Sequence, residues 1–260
     1  MITTIKTSFN DIEQARKSHL GSLPVFQDYY LELLCSQSKP YLILVSVQVA
    51  GYALITPDNI LVEFDLNPRH YKFASQIINS IIRLFNIKQI YCQSFDALLL
   101  SSCLENNFNH KIIGLLYRDM AQNNDLSIPD ISYRFANIND LPFLLSQDDE
   151  VFEPKELIRD FITNKNILFF EKNNQVLGCG FLTLTHPSWN YCDIGVWVNP
   201  QFRRQGIACH ILTVLKKMCI ENNDIPLCGC DVNNINSQKT LAKCGFASKH
   251  KLIVFKTTNI

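Results

Sequence analysis

Apolar and polar positions along this chain form one long pattern written twice. Gln48-Val-Ala-Gly-Tyr-Ala-Leu-Ile-Thr56 in the first half parallels Gln175-Val-Leu-Gly-Cys-Gly-Phe-Leu-Thr183 in the second. Each reads as a strand that starts after a hairpin turn, with Asn173-Asn174 as the turn of the second copy. An apolar strand is predicted before each, over 41–47 and 167–171. Further on, Phe64-Asp-Leu-Asn-Pro68 parallels Val196-Trp-Val-Asn-Pro200. Proline cannot donate to a strand ladder, so both strands end there. A helix follows in both copies: Phe73, Ile77, Ile81, Leu84 and Phe85 recur at helical spacing in the first, and Ile207, Ile211, Leu215 and Met218 in the second. Then come a strand (89–93 or 226–232), a short helix ending in Asn107-Phe108 or Gly245-Phe246, and a last strand over 112–117 or 251–255. Self-similarity at so long a period signals duplication.

The second copy opens with a strand over 132–136. Asn139-Asp140 is placed to cap a first helix carrying Leu141, Phe143, Leu144 and Leu145. A second helix is predicted from Pro154, where helix starts tolerate proline, to about 163, burying Leu157, Ile158, Phe161 and Ile162. The polar segment from Ala121 ends in Pro129, which puts a linker at 121–131 between domains 1–120 and 132–260. The expected class is α/β: two tandem units, each a mixed sheet flanked by helices, packed about a pseudo-twofold.

Composition narrows the function. Twenty-four basic and 24 acidic residues cancel, which argues against nucleic acid as the main partner. No stretch approaches the roughly 20 apolar residues of a membrane span. The start, Met1-Ile-Thr-Thr-Ile-Lys, lacks an apolar signal core, so a cytoplasmic setting is expected. The ten cysteines are scattered in apolar runs, and Cys228-x-Cys230 is not zinc-finger spacing. They read as reduced buried thiols, with no metal expected.

The most distinctive chemistry follows Pro200. Arg203-Arg204-Gln205-Gly206 is a basic turn between a strand and a long helix. Free N–H groups and the helix dipole converge there, and Gly206 lets a ligand approach the backbone closely. The turn has the chemistry of a pyrophosphate cradle.

Arg203-x-x-Gly206-x-Ala208 resembles the acetyl-CoA signature of the GCN5-related N-acetyltransferases (GNAT). Asn234-x-x-Ser237, then Leu241-x-Lys243-Cys244-Gly245-Phe246, resemble the closing motif of that family. The resemblance covers about the last half of the chain. Asp193-Ile-Gly-Val-Trp-Val198 before the cradle looks most like a bacterial branch that includes antibiotic self-resistance acetyltransferases. It implies tandem GNAT folds with splayed sheets, the first a degenerate copy. It also implies an acetyl-CoA-dependent N-acetyltransferase acting on a primary amine, most simply that of a small molecule, in a monomer or homodimer. Backbone from Arg204 through Gln205, Gly206 and Ile207 to Ala208 would hold the pyrophosphate. The backbone of Val196, Trp197 and Val198 would pair with the pantetheine arm like an added strand, and Asn234 would hydrogen-bond it.

Acyl transfer from a thioester to an amine needs a base and a route for the proton to the leaving thiolate. Asp193 is the first candidate base. Tyr191 shares its strand face, because side chains alternate every two residues. Asp231, ending the next strand, is a candidate for orienting the amine. His186 and His210 read as a turn histidine and a surface histidine, and Cys230 as a small buried residue. The family often has a tyrosine where this chain has Leu241, so the thiolate's proton is left to water, to Ser237 or to Tyr191, or catalysis is weak. An acyl-CoA-binding sensory module with little turnover is the alternative. Counting from Asn-Pro, Tyr71 stands for Arg203, Ala74 for Gly206 and Gln76 for Ala208, so the first copy is expected not to bind acetyl-CoA.

Overall fold

The computed structural model describes residues 1–120 and 125–257. It divides into two compact units, one of residues 1–116 and 248–260, the other of 117–247.

The first unit begins with β1 (Ile2–Lys6), α1 (Phe9–Ser22) and α2 (Tyr29–Ser36), which the hydrophobic pattern alone does not announce. There follow β2 (Lys39–Val45), β3 (Gln48–Ile55), β4 (Ile60–Leu66), α3 (Ala74–Phe85), β5 (Gln89–Gln93), α4 (Ala97–Glu105) and β6 (Asn109–Tyr117). Beyond Asp119–Met120 (β7), the second unit has β8 (Ser132–Phe135), α5 (Leu141–Leu145), α6 (Ile158–Thr163), β9 (Ile167–Lys172), β10 (Gln175–His186) and β11 (Trp189–Val198). It continues through α7 (Ile207–Glu221), β12 (Ile225–Asp231), α8 (Ile235–Lys243) and β13 (Phe246–Ala247), and the chain closes on β14 (His250–Lys256).

The predicted repeat is real in three dimensions. In each unit an antiparallel meander (β2-β3-β4 or β9-β10-β11) is followed by one parallel neighbour across a helical crossover. The hairpin turn Asn173-Asn174 has both residues left-handed, φ 51° and 60°, as a two-residue turn between twisted strands requires. Gly51 and Gly178 hold the same place in their units: an added Cβ would lie 2.0 Å from the Asp65 carbonyl oxygen or 2.4 Å from that of Trp197. Both glycines let the next strand approach where a side chain would block it.

Two expectations change. The strand predicted at 251–255 as the end of the second copy instead lies in the first unit's sheet, between β5 and β6 and antiparallel to both. The unit boundaries therefore do not follow a simple cut at 120 and 132. Ladder bonds are made by backbone, so an alternating strand carries no mark of which sheet it will join. Of the expected linker 121–131, residues 121–124 lie outside the described residues. The remainder is held along α7, with the Lys217 ammonium 3.0 Å from Asp125 and the Ile128 N–H donating to His210 Nδ1 at 2.8 Å.

Each sheet buries both faces. In the first unit, Ile77, Ile78, Ile81 and Ile82 of α3 pack on Phe64, Leu66 and Phe255, while Leu84 of the predicted stripe is exposed. In the second, Ile211 and Leu215 of α7 pack over Gly180. Its opposite face is aromatic, with Trp197 edge-on to Phe152 at 5.3 Å and Phe143 at 6.2 Å. Asp140 does hold the N-cap position of α5, but its side chain makes no cap bond there and pairs with Arg134 at 2.7 Å; Asn137 caps the 3-10 turn before α5, accepting from the Asn139 N–H. Pro154 precedes a short 3-10 turn, and α6 proper starts at Ile158. All ten cysteines are free thiols; nine are buried, as their scatter suggested, while Cys230, expected to be buried, is only half-buried.

Candidate active site in the second unit

β11 pairs with β12 over Tyr191, Cys192 and Asp193 alone, Asp193 facing Leu227 on the last rung. Beyond it the two strands part. The edge of β11 from Ile194 to Val198 that faces β12 is thus left open while its other edge stays paired with β10 through Val198. Asp193 sits at the vertex of this wedge, half-buried, and shares its strand face with Tyr191 and Trp197. Trp197, expected to pair with a pantetheine arm, offers the wedge nothing: its backbone faces Cys179 of β10 and its side chain is buried in the aromatic core.

The strand stops because Asn199 turns it. Its N–H donates to the Leu177 carbonyl at 3.0 Å, its Nδ2 to the Val176 carbonyl at 3.2 Å, and its Oδ1 accepts from the Gln201 N–H at 3.2 Å. One 3-10 turn, Pro200–Phe202, is followed by two left-handed residues, Arg204 at φ 66° and Gly206 at φ 82°. α7 then begins at Ile207 with Gly206 as its cap and no side chain satisfying its first N–H groups. Those groups have no acceptor within the helix and form its positive end. An added Cβ at Gly206 would meet only the Ile128 methyl, at 3.7 Å, so the turn is open and its requirement for glycine lies in the left-handed backbone. These features fit an anionic pyrophosphate.

Arg203 plays a different part from the one its charge suggested. Its Nε donates to the Val198 carbonyl at 3.1 Å, and its Nη2 lies 3.3 Å from the Asp149 carboxylate. The guanidinium braces the turn against the strand and takes the acceptor of Val198, which leaves Val196 as the residue whose backbone an added chain would meet on the open edge. Arg204 and Gln205 are exposed at the turn.

On the far side of the wedge, Asn234 caps α8, its Oδ1 accepting the Ser237 N–H at 3.0 Å. Its Nδ2 remains to donate outward from an exposed side chain. Ser237 is half-buried. Asp231 is occupied locally, its Oδ1 accepting the Asn233 N–H at 2.7 Å, so its first role is to shape the turn before α8. Leu241 is buried. His186 accepts from the Ser188 N–H within its turn, as expected. His210 is not a surface residue: it is 4% exposed, held by Ile128 and edge-on to Phe170.

Sequence reasoning missed Tyr117 and Arg118, assigned by position to the first copy. Burial, then the charge of a Cys230 thiolate on β12 and a hydrogen bond with that group, raise the Tyr117 phenol to about 12. Arg118 donates to the Cys228 carbonyl at 2.8 Å. Both therefore border β12 where it leaves β11. Their signal lies in the pairing partner, which a linear pattern does not carry.

The first unit has the same wedge without the cradle. β4 pairs with β5 only at Ile60 and Leu61. After Asn67, however, a six-residue 3-10 helix, Pro68–Phe73, runs directly into α3, the Ala74 N–H bonding to the Tyr71 carbonyl, with no left-handed residue between.

Residues 8–120 match the model of the acetyltransferase (GNAT) domain, and residues 133–246 that of the acetyltransferase (GNAT) family. Among solved structures, an acetyltransferase from the GNAT family from Colwellia psychrerythraea is similar at TM-score 0.84 and 22% identity, over 98% of this chain and 99% of that one. A tandem GNAT protein from the clavulanic acid biosynthesis pathway is similar at TM-score 0.65 and 9% identity, over 98% of each chain. A GCN5-related N-acetyltransferase from Sphaerobacter thermophilus follows at TM-score 0.62 and 12% identity, over 98% of this chain and 95% of that one. At these identities the likeness is one of fold. No curated protein matches the sequence.

Proposed function

The chain is a tandem of two GNAT acetyltransferase domains, and from that premise we propose that the second transfers an acetyl group from acetyl-CoA to the primary amine of a small molecule. The first domain keeps the fold and has lost the cofactor site. The observation that carries the reading is the broken turn Arg204–Gly206 opening onto the wedge whose vertex is Asp193.

Acetyl-CoA supplies the acetyl group as an activated thioester. N–H groups from Arg204 to Ala208 suit its pyrophosphate, the open edge at Val196 suits its amide arm, and Asn234 Nδ2 is a further donor. The rate comes first from placing amine and thioester side by side. As the amine nitrogen bonds to the acetyl carbon, the carbon–sulfur bond breaks and coenzyme A leaves as its thiol. Asp193 is positioned to take the amine proton, directly or through water. Tyr117, which borders β12 beside Cys230, joins Ser237 and Tyr191 as a candidate proton source for sulfur where Leu241 replaces the family's tyrosine, although burial makes its phenol a weaker acid. The reaction then proceeds by direct attack, with no acyl-enzyme.

Buried Leu241 also favours a second reading, an acyl-CoA-binding module with little turnover. Release of coenzyme A thiol from acetyl-CoA, measured with and without a panel of primary amines, separates them. Amine-dependent release supports transfer; binding of acetyl-CoA with no amine-dependent release supports the module.

A further inference from the structure

We propose that the wedge of the first unit is a binding site of its own, for a small organic amine in its ammonium form. Such a site stands whether or not the second unit transfers acetyl groups.

A cavity of about 500 Å³ opens there, between the end of α1, β4, the start of α3 and the start of α4. That volume lies within the usual range for small-molecule sites. Three carboxylates line it, Asp65, Asp96 and Glu105, and its one basic lining group is His19. Phe95 and Tyr71 supply aromatic walls.

The charges around this cavity do not balance. Behind it Arg16 is committed to Glu63 and Glu32, each at 3.0 Å, and Glu63 also accepts from the Tyr52 hydroxyl at 2.7 Å. His19 stands between the other two carboxylates at longer range, Nδ1 3.6 Å from Asp65 and Nε2 3.9 Å from Asp96. Two cations thus face four carboxylates: Glu32, Glu63, Asp65 and Asp96. All four have side chains at most 20% exposed. Burial opposes the charge on His19, yet Asp65, Glu63 and Asp96 raise its imidazole to about 9, so it already counts as a cation. Burial pushes Asp96 up, the mark of a carboxylate short of positive charge.

A ligand cation would complete this set. Buried charge is costly unless it is paired, so an ammonium group in the cavity, against the faces of Asp65 and Asp96 that His19 leaves open, offsets the excess of negative charge. An aromatic-walled cavity suits an organic cation better than a hydrated metal ion. An anion is disfavoured: α4 points its N-terminus here, but Asp96 caps it, accepting the Leu99 N–H at 3.1 Å. The same carboxylates repel a pyrophosphate, a second reason for the first unit not to bind acetyl-CoA.

The test is calorimetric titration of the full chain with 1,4-diaminobutane, with butyrate as a comparison of similar size and opposite charge. Asp65→Asn and Asp96→Asn are titrated alongside. Asparagine is as good a helix cap as aspartate, so Asp96→Asn should fold. Native circular dichroism identifies the variants fit for comparison. We expect the diamine to bind, butyrate not to bind, and either variant to weaken the diamine by about tenfold or more, a single lost charge contact of about 1.4 kcal/mol. Failure of the diamine to bind the wild-type chain would overturn the proposal. So would equal affinity in wild type and folded variants, since that places the amine elsewhere.

Discussion

Two stretches that both begin with Asn-Pro end differently. From Asn67 the chain coils through Pro68–Phe73 into α3, spending its N–H groups on its own carbonyls. From Asn199 it coils for one turn, breaks at Arg204 and Gly206, and starts α7 with its first N–H groups unspent. The wedge beside each is alike, so the two units differ here in the backbone of a few residues rather than in the fold. The strand before each turn differs too. Trp197 faces Cys179 and fills a dry aromatic core, whereas Asp65 faces Tyr52 in a charged one. One duplicated sheet thus carries a cradle over an apolar face and a cavity beside an ionic face.

The sharpest break in this comparison is at Asp193, at the vertex of the second wedge. Asp193→Asn keeps shape and removes basicity, and loss of a general base lowers the rate by about 10² to 10⁴. The deficit should shrink at high pH, while acetyl-CoA affinity holds. A pH–rate profile of both proteins checks this; parallel profiles would remove Asp193 as the base.

Next is the ionic face of the first unit. Arg16→Met leaves Glu63 and Glu32 buried without their cation, which should cost about 3–5 kcal/mol in urea denaturation. Arg134, with a side chain 40% exposed, makes the corresponding comparison in the second unit, and Arg134→Met should cost less than about 1 kcal/mol.

The His19 imidazole adds a pH signature to the same region. Its folded pKa, about 9, lies above its unfolded value near 6.5. Its stabilisation is therefore complete below pH 6.5 and is lost as pH rises to about 9. A shift of that size corresponds to about 3 kcal/mol. Wild type should lose stability across this window, and His19→Gln should lose far less; equal slopes would mean that Asp65 and Asp96 do not hold the proton.

The smallest effect separates two roles of one side chain. Asn234→Ala should cost about 1 kcal/mol of stability by removing the α8 cap. Asn234→Asp keeps the cap and loses the outward Nδ2 donor. If that donor serves the cofactor arm, the aspartate variant should bind acetyl-CoA more weakly at unchanged thermal stability.

Local features were readable and distant pairings were not. Gly206 after a strand and before a long apolar stripe pointed to the cradle, because its left-handed backbone is a property of the residue itself. The repeat was visible in strands β3 and β10 for a similar reason: alternation is written along the chain. β14 was placed in the wrong unit because its partners, β5 and β6, recognise backbone. α1 was overlooked because its apolar face is sparse; the capping box of Ser8 and Asp11 was its clearest local mark. Arg16 finds Glu63 across 47 residues, and no spacing announces such a pair. His210 was misplaced because its partner is the bare N–H of Ile128.

The central claim is that the broken turn, not the wedge, makes the cofactor site, and calorimetric titration of the full chain with acetyl-CoA tests it most directly. One molecule per chain is expected, with none bound by a Gly206→Val variant of native circular dichroism. Two sites of similar affinity in the wild type, or undiminished binding in Gly206→Val, would contradict it.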